Sequence, residues 1–85
     1  MKMEFPKINK GQVVLMRAES LTGVLLDDKF NRVISKDQVF YSVFDNYESA
    51  VIYIDVIVKN KKNVEIIIYD NHQKVLHYYD PMATK

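Results

Sequence analysis

Only one segment of this chain has the apolar spacing of a helix, whereas most of its other apolar residues are of types that favour strands. Val and Ile together number 19 of the 85 residues and Phe and Tyr number ten, against five Leu and three Ala. Branched and aromatic side chains fit the pleated surface of a sheet. The sequence therefore predicts a single α+β domain, an antiparallel or mixed sheet of about five strands with one helix packed on one face.

The predicted helix runs from about Tyr47 to Asn60. Its apolar residues recur every three or four positions and form one stripe, made of Tyr47, Ala50, Val51, Ile54, Ile57 and Val58. Two residues are candidates for the N-cap: Asp45, which precedes Glu48 by three positions, and Asn46. Either side chain can accept a hydrogen bond from the first turn, so the sequence leaves both open.

The other apolar segments alternate with polar residues or form short runs, as strands do. In chain order the predicted strands are 12–18, 21–26, a short return strand at 32–34, 38–44, 64–69 and 74–79. The run 64–69 is almost continuously apolar, which predicts a central strand covered on both faces. Residues 1–10, interrupted by Pro6, are predicted to be a loosely ordered arm of this one domain, which spans 1–85.

One helix is too narrow to cover such a sheet. A helix with its side chains is about 10–12 Å wide, whereas five strands at ~4.8 Å spacing span roughly 24 Å. The uncovered apolar surface is buried if the sheet curls, if the N-terminal arm folds over it, or if a second chain packs on it. We favour a homodimer, formed through the open sheet face or an edge strand.

This excess of apolar surface leads to the main functional hypothesis, a small non-enzymatic module that self-associates or binds a protein partner. The residues expected to be exposed and apolar lie on the helix away from its main stripe, and on the last strand. They are Ile52, Tyr53, Val56, Leu76, Tyr78 and Tyr79. A contiguous exposed patch of this kind indicates an interaction site.

Composition argues against several other functions. The net charge is +1, from 12 Lys and Arg against 11 Asp and Glu, without the basic excess of a dedicated nucleic-acid binder. No Cys is present, and Gly occurs only at positions 11 and 23, which excludes thiolate chemistry and a glycine-rich phosphate loop. The first residues lack the apolar run of a signal peptide, and no run is long enough for a membrane span. We expect a cytoplasmic protein with no enzymatic activity and no cofactor.

Single-stranded nucleic-acid binding is the first alternative. Sheet aromatics could stack on bases while lysines near the helix end and the last hairpin contact phosphates. The aromatic candidates are Phe40, Phe44, Tyr69, Tyr78 and Tyr79, and the lysines are Lys59, Lys61, Lys62 and Lys74. Cross-strand packing and a solvated helix end explain the same residues without a ligand.

A small metal-dependent or hydrolytic enzyme is the second alternative. His72 follows Asp70 in a predicted turn, and Asp27 or Asp28 could complete a set of metal ligands. The other histidine, His77, lies on the last strand and need not approach His72. No known ligand spacing matches, and a histidine in a solvated turn explains His72 without a metal.

Two segments of the chain have a familiar order. Residues 43–50 (Val-Phe-Asp-Asn-Tyr-Glu-Ser-Ala) join a strand ending in Phe44 to a capped Glu-x-Ala helix start, and residues 64–70 (Val-Glu-Ile-Ile-Ile-Tyr-Asp) form a strand that leads into a hairpin. Both segments resemble small, uncharacterised single-domain proteins of Bacteroidetes-type bacteria. The resemblance implies a bacterial protein with this order of elements, and it implies no activity and no site residues.

Overall fold

The structure is a computed structural model that describes residues 5–35, 37–60 and 63–81 of the chain. In this part of the chain it confirms the α+β class, because a five-stranded antiparallel sheet carries one helix. The strands are β1 (Val13–Glu19), β2 (Leu25–Leu26), β3 (Tyr41–Phe44), β4 (Val64–Tyr69) and β5 (Val75–Tyr79), and the helix is α1 (Tyr47–Asn60). Of the predicted arm, residues 1–4 lie outside the described residues, and residues 5–10 form no helix or strand.

β1 is the centre of the sheet. One of its edges pairs with β3 along its first half and with β2 along its second half, while its other edge pairs with β4. β5 pairs with β4 and is the outermost strand on that side. Since every pairing is antiparallel, β3 and β4 run parallel to each other on the two sides of β1, and α1 connects them.

Asn46 caps the helix. Its Oδ1 accepts a 2.8 Å hydrogen bond from the backbone N–H of Ser49, the third residue of α1, which is the bond expected of an N-cap. Asp45 instead accepts a long bond of 3.4 Å from the side-chain amide of Gln12. The helix has the predicted bounds, and Ala50, Ile54 and Ile57 of the predicted stripe are buried, although Tyr47 in the first turn is exposed.

The hydrophobic core lies between α1 and one face of the sheet, the helix face. Residues directly opposite each other on antiparallel strands share a face, so Leu15 and Ile68 lie together on the helix face, as do Arg17 and Ile66. The buried apolar cluster consists of Val13, Leu15, Leu26, Ala50, Ile54, Ile57, Val64, Ile66 and Ile68. The helix and the centre of the sheet therefore form one core.

The other face of the sheet, the second face, carries no helix, but its centre is covered. Val14 is completely buried there and pairs with Tyr69 of β4. The Phe5 ring packs edge-on against Tyr69, with ring centroids 5.4 Å apart. The N-terminal arm thus covers part of this face, one of the three arrangements considered from the sequence. The exposed apolar residues on its rim are Val43, Val75, Leu76 and Tyr78.

Three predicted strands are shorter than expected because side chains close the loops between them. Thr22 Oγ1 donates to Glu19 Oε1 at 2.7 Å within a turn that also joins Gly23 N–H to the Glu19 carbonyl, so β2 begins after this turn. The predicted return strand at 32–34 contributes a single bridge, from Arg32 to Leu26. Gln38 Oε1 accepts two backbone N–H groups of the preceding turn, and regular pairing resumes only at β3.

Candidate interaction surface

β5 presents three exposed apolar side chains on the second face. Tyr78 lies opposite Ile67, and alternation along the strand places Leu76 on the same face as Tyr78. A bulge between Ile68 and Tyr69 brings Val75 opposite Tyr69, and so onto that face as well. Val75, Leu76 and Tyr78 are 51%, 41% and 52% exposed. These three residues are named the β5 patch.

The edge of β5 is poorly protected. No Cα atom of α1 lies within 8 Å of a Cα atom of β5, so the helix packs nearer to the centre of the sheet than to this strand, although Tyr79 of β5 still contacts the margin of the core. The opposite edge of the sheet is divided between β2 and β3, which are only two and four residues long. Proteins usually guard a free edge with charges, proline or short strands, whereas the five residues of β5 contain no Lys, Arg, Asp, Glu or Pro. Among the described residues of this strand, the feature that protects its edge is the bulge, which interrupts regular pairing.

Tyr78 is held in place by its hydroxyl group. This group donates a 2.9 Å hydrogen bond to Glu65 Oε2 and lies 3.2 Å from Asp80 Oδ2. The bond to Glu65, with smaller effects of burial and of the two carboxylates, raises the pKa of Tyr78 to about 12. The ring is therefore fixed in orientation while about half of its surface stays exposed, which suits a residue that anchors an interface.

The six residues predicted to be exposed and apolar do not form one surface. Ile52 and Val56 are exposed on α1, and Leu76 and Tyr78 are exposed on β5. Because the β5 patch lies on the second face and α1 packs on the helix face, the exposed residues form two separate areas: the β5 patch and a helix patch made of Ile52 and Val56. The described residues form no single surface that includes both patches.

The predicted exposure of Tyr53 and Tyr79 is wrong, since both are half-buried against the core. Tyr53 points toward β3, where its ring centroid lies 5.4 Å from that of Phe44. Tyr79 lies opposite Ile66, which places it on the helix face. Both rings extend the core at its margins, where neighbouring strands supply contacts that the pattern of one segment does not reveal.

Arg17 is a completely buried residue that the sequence analysis did not single out. Its Nε donates to the Asp27 carbonyl at 3.1 Å and its Nη1 donates to Ser42 Oγ at 2.8 Å. The guanidinium carbon lies 5.9 Å from the centre of the Phe30 ring. Its Nη2 is buried and has no hydrogen-bond partner among the described residues. Burial lowers the pKa of Arg17, against the opposing effects of Tyr53 and the nearby aspartates.

The loop that encloses Arg17 is organised by the Asp27 carboxylate. Its Oδ1 accepts the backbone N–H groups of Lys29 and Asn31, and its Oδ2 accepts the Gln38 amide. These bonds, with Gln38 contributing most, lower the pKa of Asp27. Phe30 is held at a left-handed φ of 66°, which is strained for a bulky residue. Since Arg17 is fully enclosed, this cluster anchors the loop to the sheet.

The metal ligands considered from the sequence are not brought together. His72 is exposed in the β4–β5 hairpin, where Asp70 Oδ1 accepts the backbone N–H groups of His72 and Lys74. These bonds, that to Lys74 first, lower the pKa of Asp70. Within residues 5–35, 37–60 and 63–81, no three side chains of His, Cys, Asp or Glu lie close enough together to hold a metal ion. Asp27 is engaged in its own loop instead.

The aromatic residues considered for base stacking are divided between the two faces of the sheet. Phe44 and Tyr79 pack toward the core, whereas Tyr69 and Tyr78 lie on the second face. Phe40 contacts Tyr41 edge-on, with centroids 5.2 Å apart. Of the proposed phosphate contacts, Lys61 and Lys62 lie outside the described residues. These aromatics therefore do not make a single stacking platform.

Comparison of the chain with protein-family models, with curated proteins and with solved structures gave no match. The resemblance to proteins of Bacteroidetes-type bacteria stays a prediction. In the part of the chain that the structure describes, α1 is too short and too polar to cross a membrane.

Proposed function

We propose that the protein is a non-enzymatic interaction module that forms a homodimer by pairing the β5 strands of two copies. The observation that carries this proposal is the β5 patch, which lies on the outermost strand of the described sheet and on the face opposite to the helix. A free edge offers backbone N–H and C=O groups to another strand, and exposed apolar side chains beside it gain from being covered. A second copy of the chain supplies a strand edge for these backbone groups and apolar side chains that cover the patch.

The pairing has a defined geometry. In an antiparallel dimer with twofold symmetry, the interface is self-complementary. When the axis passes through His77, the segment 76–78 pairs with the same segment of the partner subunit, whereas Val75 and Tyr79 lie on different faces because of the bulge and do not form a regular pair across the axis. Leu76 then lies opposite Tyr78 of the partner subunit, so two apolar pairs form on the second face. Apolar and aromatic cross-strand pairs of this kind stabilise a sheet.

The interface is small. A five-residue strand is about 17 Å long, and a specific stable interface buries roughly 1,200–2,000 Å² in total. The β5 edge lies at or below the lower end of this range. We therefore expect a reversible dimer with a dissociation constant in the micromolar range.

Sedimentation velocity over a range of protein concentrations tests the proposal with two matched variants. Leu76→Lys places a charge in the β5 patch, and Ile52→Lys places the same charge in the helix patch, at a position that is also exposed. The wild-type protein and Ile52→Lys are expected to shift toward about twice the 10.0 kDa chain mass as concentration rises, while Leu76→Lys stays monomeric.

Three results would contradict the proposal. A wild-type protein that remains monomeric at near-millimolar concentration rules out the homodimer. Dissociation caused by Ile52→Lys but not by Leu76→Lys assigns the interface to the helix patch. Loss of the folded circular dichroism spectrum in Leu76→Lys shows that Leu76 belongs to the core.

A further inference from the structure

A small pocket lies where β1 ends and β4 begins, and no residue of β5 lines it. Its volume is about 220 Å³, and its lining residues are Glu19, Leu21, Thr22, Arg32 and Asn63. Drug-sized sites are usually about 300–1,000 Å³, so this pocket has room for a molecule of only a few carbon atoms.

Arg32 is positioned in this pocket by Glu19. The Arg32 Nε donates to Glu19 Oε2 at 3.0 Å, and the other oxygen of Glu19 accepts the Thr22 hydroxyl at 2.7 Å. The bond to Glu19 uses only Nε, and among the described residues neither terminal nitrogen of Arg32 has a hydrogen-bond partner. The side chain of Arg32 is 61% exposed, so a ligand can reach these nitrogens.

The chemistry of the lining indicates the class of ligand. Two parallel N–H groups on a guanidinium match the two oxygens of a carboxylate. Both oxygens of Glu19 already accept hydrogen bonds, so Glu19 holds the guanidinium while the terminal nitrogens stay free for a ligand. Asn63 and Leu21 also line the pocket and supply an amide and an apolar side chain, the latter 75% exposed.

We infer that this pocket binds a carboxylate that carries a small branched aliphatic group. This combination of a carboxylate and a small aliphatic group is found in free short-chain acids and at the C-terminus of a peptide that ends in an apolar residue. A ligand of this size has few atoms with which to gain affinity, so the dissociation constant is expected in the millimolar range.

Titration of the ¹⁵N-labelled full chain with isovalerate, followed by NMR, tests the inference. Saturable shifts are expected at Leu21, Arg32 and Asn63, and isovaleramide, which has the same shape without the charge, is expected to cause none. N-acetyl-leucine and N-acetyl-leucinamide distinguish the two sources. Tighter binding of N-acetyl-leucine than of isovalerate identifies a peptide C-terminus, and weaker binding identifies a free acid.

Four variants locate the binding. Arg32→Gln is expected to weaken isovalerate binding by about tenfold or more, since it removes a charge-assisted pair, and Arg32→Lys to weaken it severalfold because the fork is lost while the charge is kept. Lys29→Gln removes an exposed charge from the neighbouring loop and is expected to change nothing. Leu21→Ser should weaken the binding of isovalerate but not that of acetate.

The outcomes that overturn the inference are equally specific. Shifts that do not saturate, equal shifts with isovaleramide, or full binding by Arg32→Gln each exclude a carboxylate site at Arg32. Equal weakening by Lys29→Gln and Arg32→Gln shows a diffuse effect of charge instead. Because this pocket is separate from β5, the Leu76→Lys variant is expected to bind isovalerate like the wild-type protein.

Discussion

Replacement of Arg17 by Met is expected to leave the free energy of unfolding nearly unchanged, although Arg17 is completely buried. The substitution removes the hydrogen bonds to the Asp27 carbonyl and to Ser42 Oγ. Neither acceptor is left without a hydrogen-bond partner. The Asp27 carbonyl also accepts the Phe30 N–H at 3.0 Å, and Ser42 is only half-buried, so water can reach its hydroxyl.

The free-energy terms that favour a buried Arg17 and those that oppose it are of similar size. Hydrogen bonds to a charged group contribute about 1.5–3 kcal/mol each. Two costs oppose this gain. The buried Nη2 has no hydrogen-bond partner, which costs about 1–3 kcal/mol, and moving a guanidinium out of water costs several kcal/mol. Met fills much of the same space without these costs, so a net change within about 1 kcal/mol is expected. Arg17→Ala also leaves a cavity and should lose about 2–5 kcal/mol.

Urea denaturation of the wild-type protein, Arg17→Met and Arg17→Ala, followed by circular dichroism in dilute solution, measures these changes. The wild-type protein and Arg17→Met are expected to have similar free energies of unfolding, and that of Arg17→Ala is expected to be much lower. If Arg17→Met is as unstable as Arg17→Ala, the charge and its two hydrogen bonds hold the loop on the sheet, and they stabilise the fold by more than the cost of burying the guanidinium.

Three further changes have defined outcomes. Asn46→Ala should lower the free energy of unfolding by about 1 kcal/mol because it removes the N-cap, and an equal loss in the control Asp45→Ala would contradict this assignment. Gln73→Gly should raise stability by about 0.5 kcal/mol in the same assay, since Gln73 is exposed at a left-handed φ of 63° and glycine relieves that strain at some cost in chain entropy. The pKa of Tyr78 is raised to about 12 from an ordinary 10.0, so the fold favours the neutral phenol. The stabilisation that this gives is complete below about pH 10 and is lost as the pH rises toward 12. Spectrophotometric titration of tyrosine should show one late-ionising group that is absent in Tyr78→Phe, and an unchanged late group in that variant would refute the assignment.

The parts of the fold that agree with the sequence analysis are those specified by local signals. Apolar spacing and a capping residue are contained within the helix segment itself, and α1 has the predicted bounds of Tyr47–Asn60. The run of branched residues in β4 likewise needs no distant contact to be recognised, and its bounds of Val64–Tyr69 agree too.

The features that the sequence analysis missed depend on contacts between distant segments. Arg17 is buried by residues ten and 25 positions further along the chain, Asp27 and Ser42, whereas an arginine within a strand usually indicates a solvent-facing position. Tyr53 turns inward because Phe44 lies beneath it. The bulge that moves Val75 onto the second face is likewise a property of the β4–β5 pair, so the β5 patch could be predicted only in part.

Hydrogen exchange of the β5 amides, measured in dilute and in concentrated protein, directly tests whether this edge pairs with a second copy. In dilute solution, the N–H groups of Val75–Tyr79 that point away from β4 should exchange rapidly. At high concentration their exchange should slow, while exchange in α1 stays unchanged. Exchange in β5 that is independent of concentration, or protection that develops in α1 instead, would contradict dimerisation through β5.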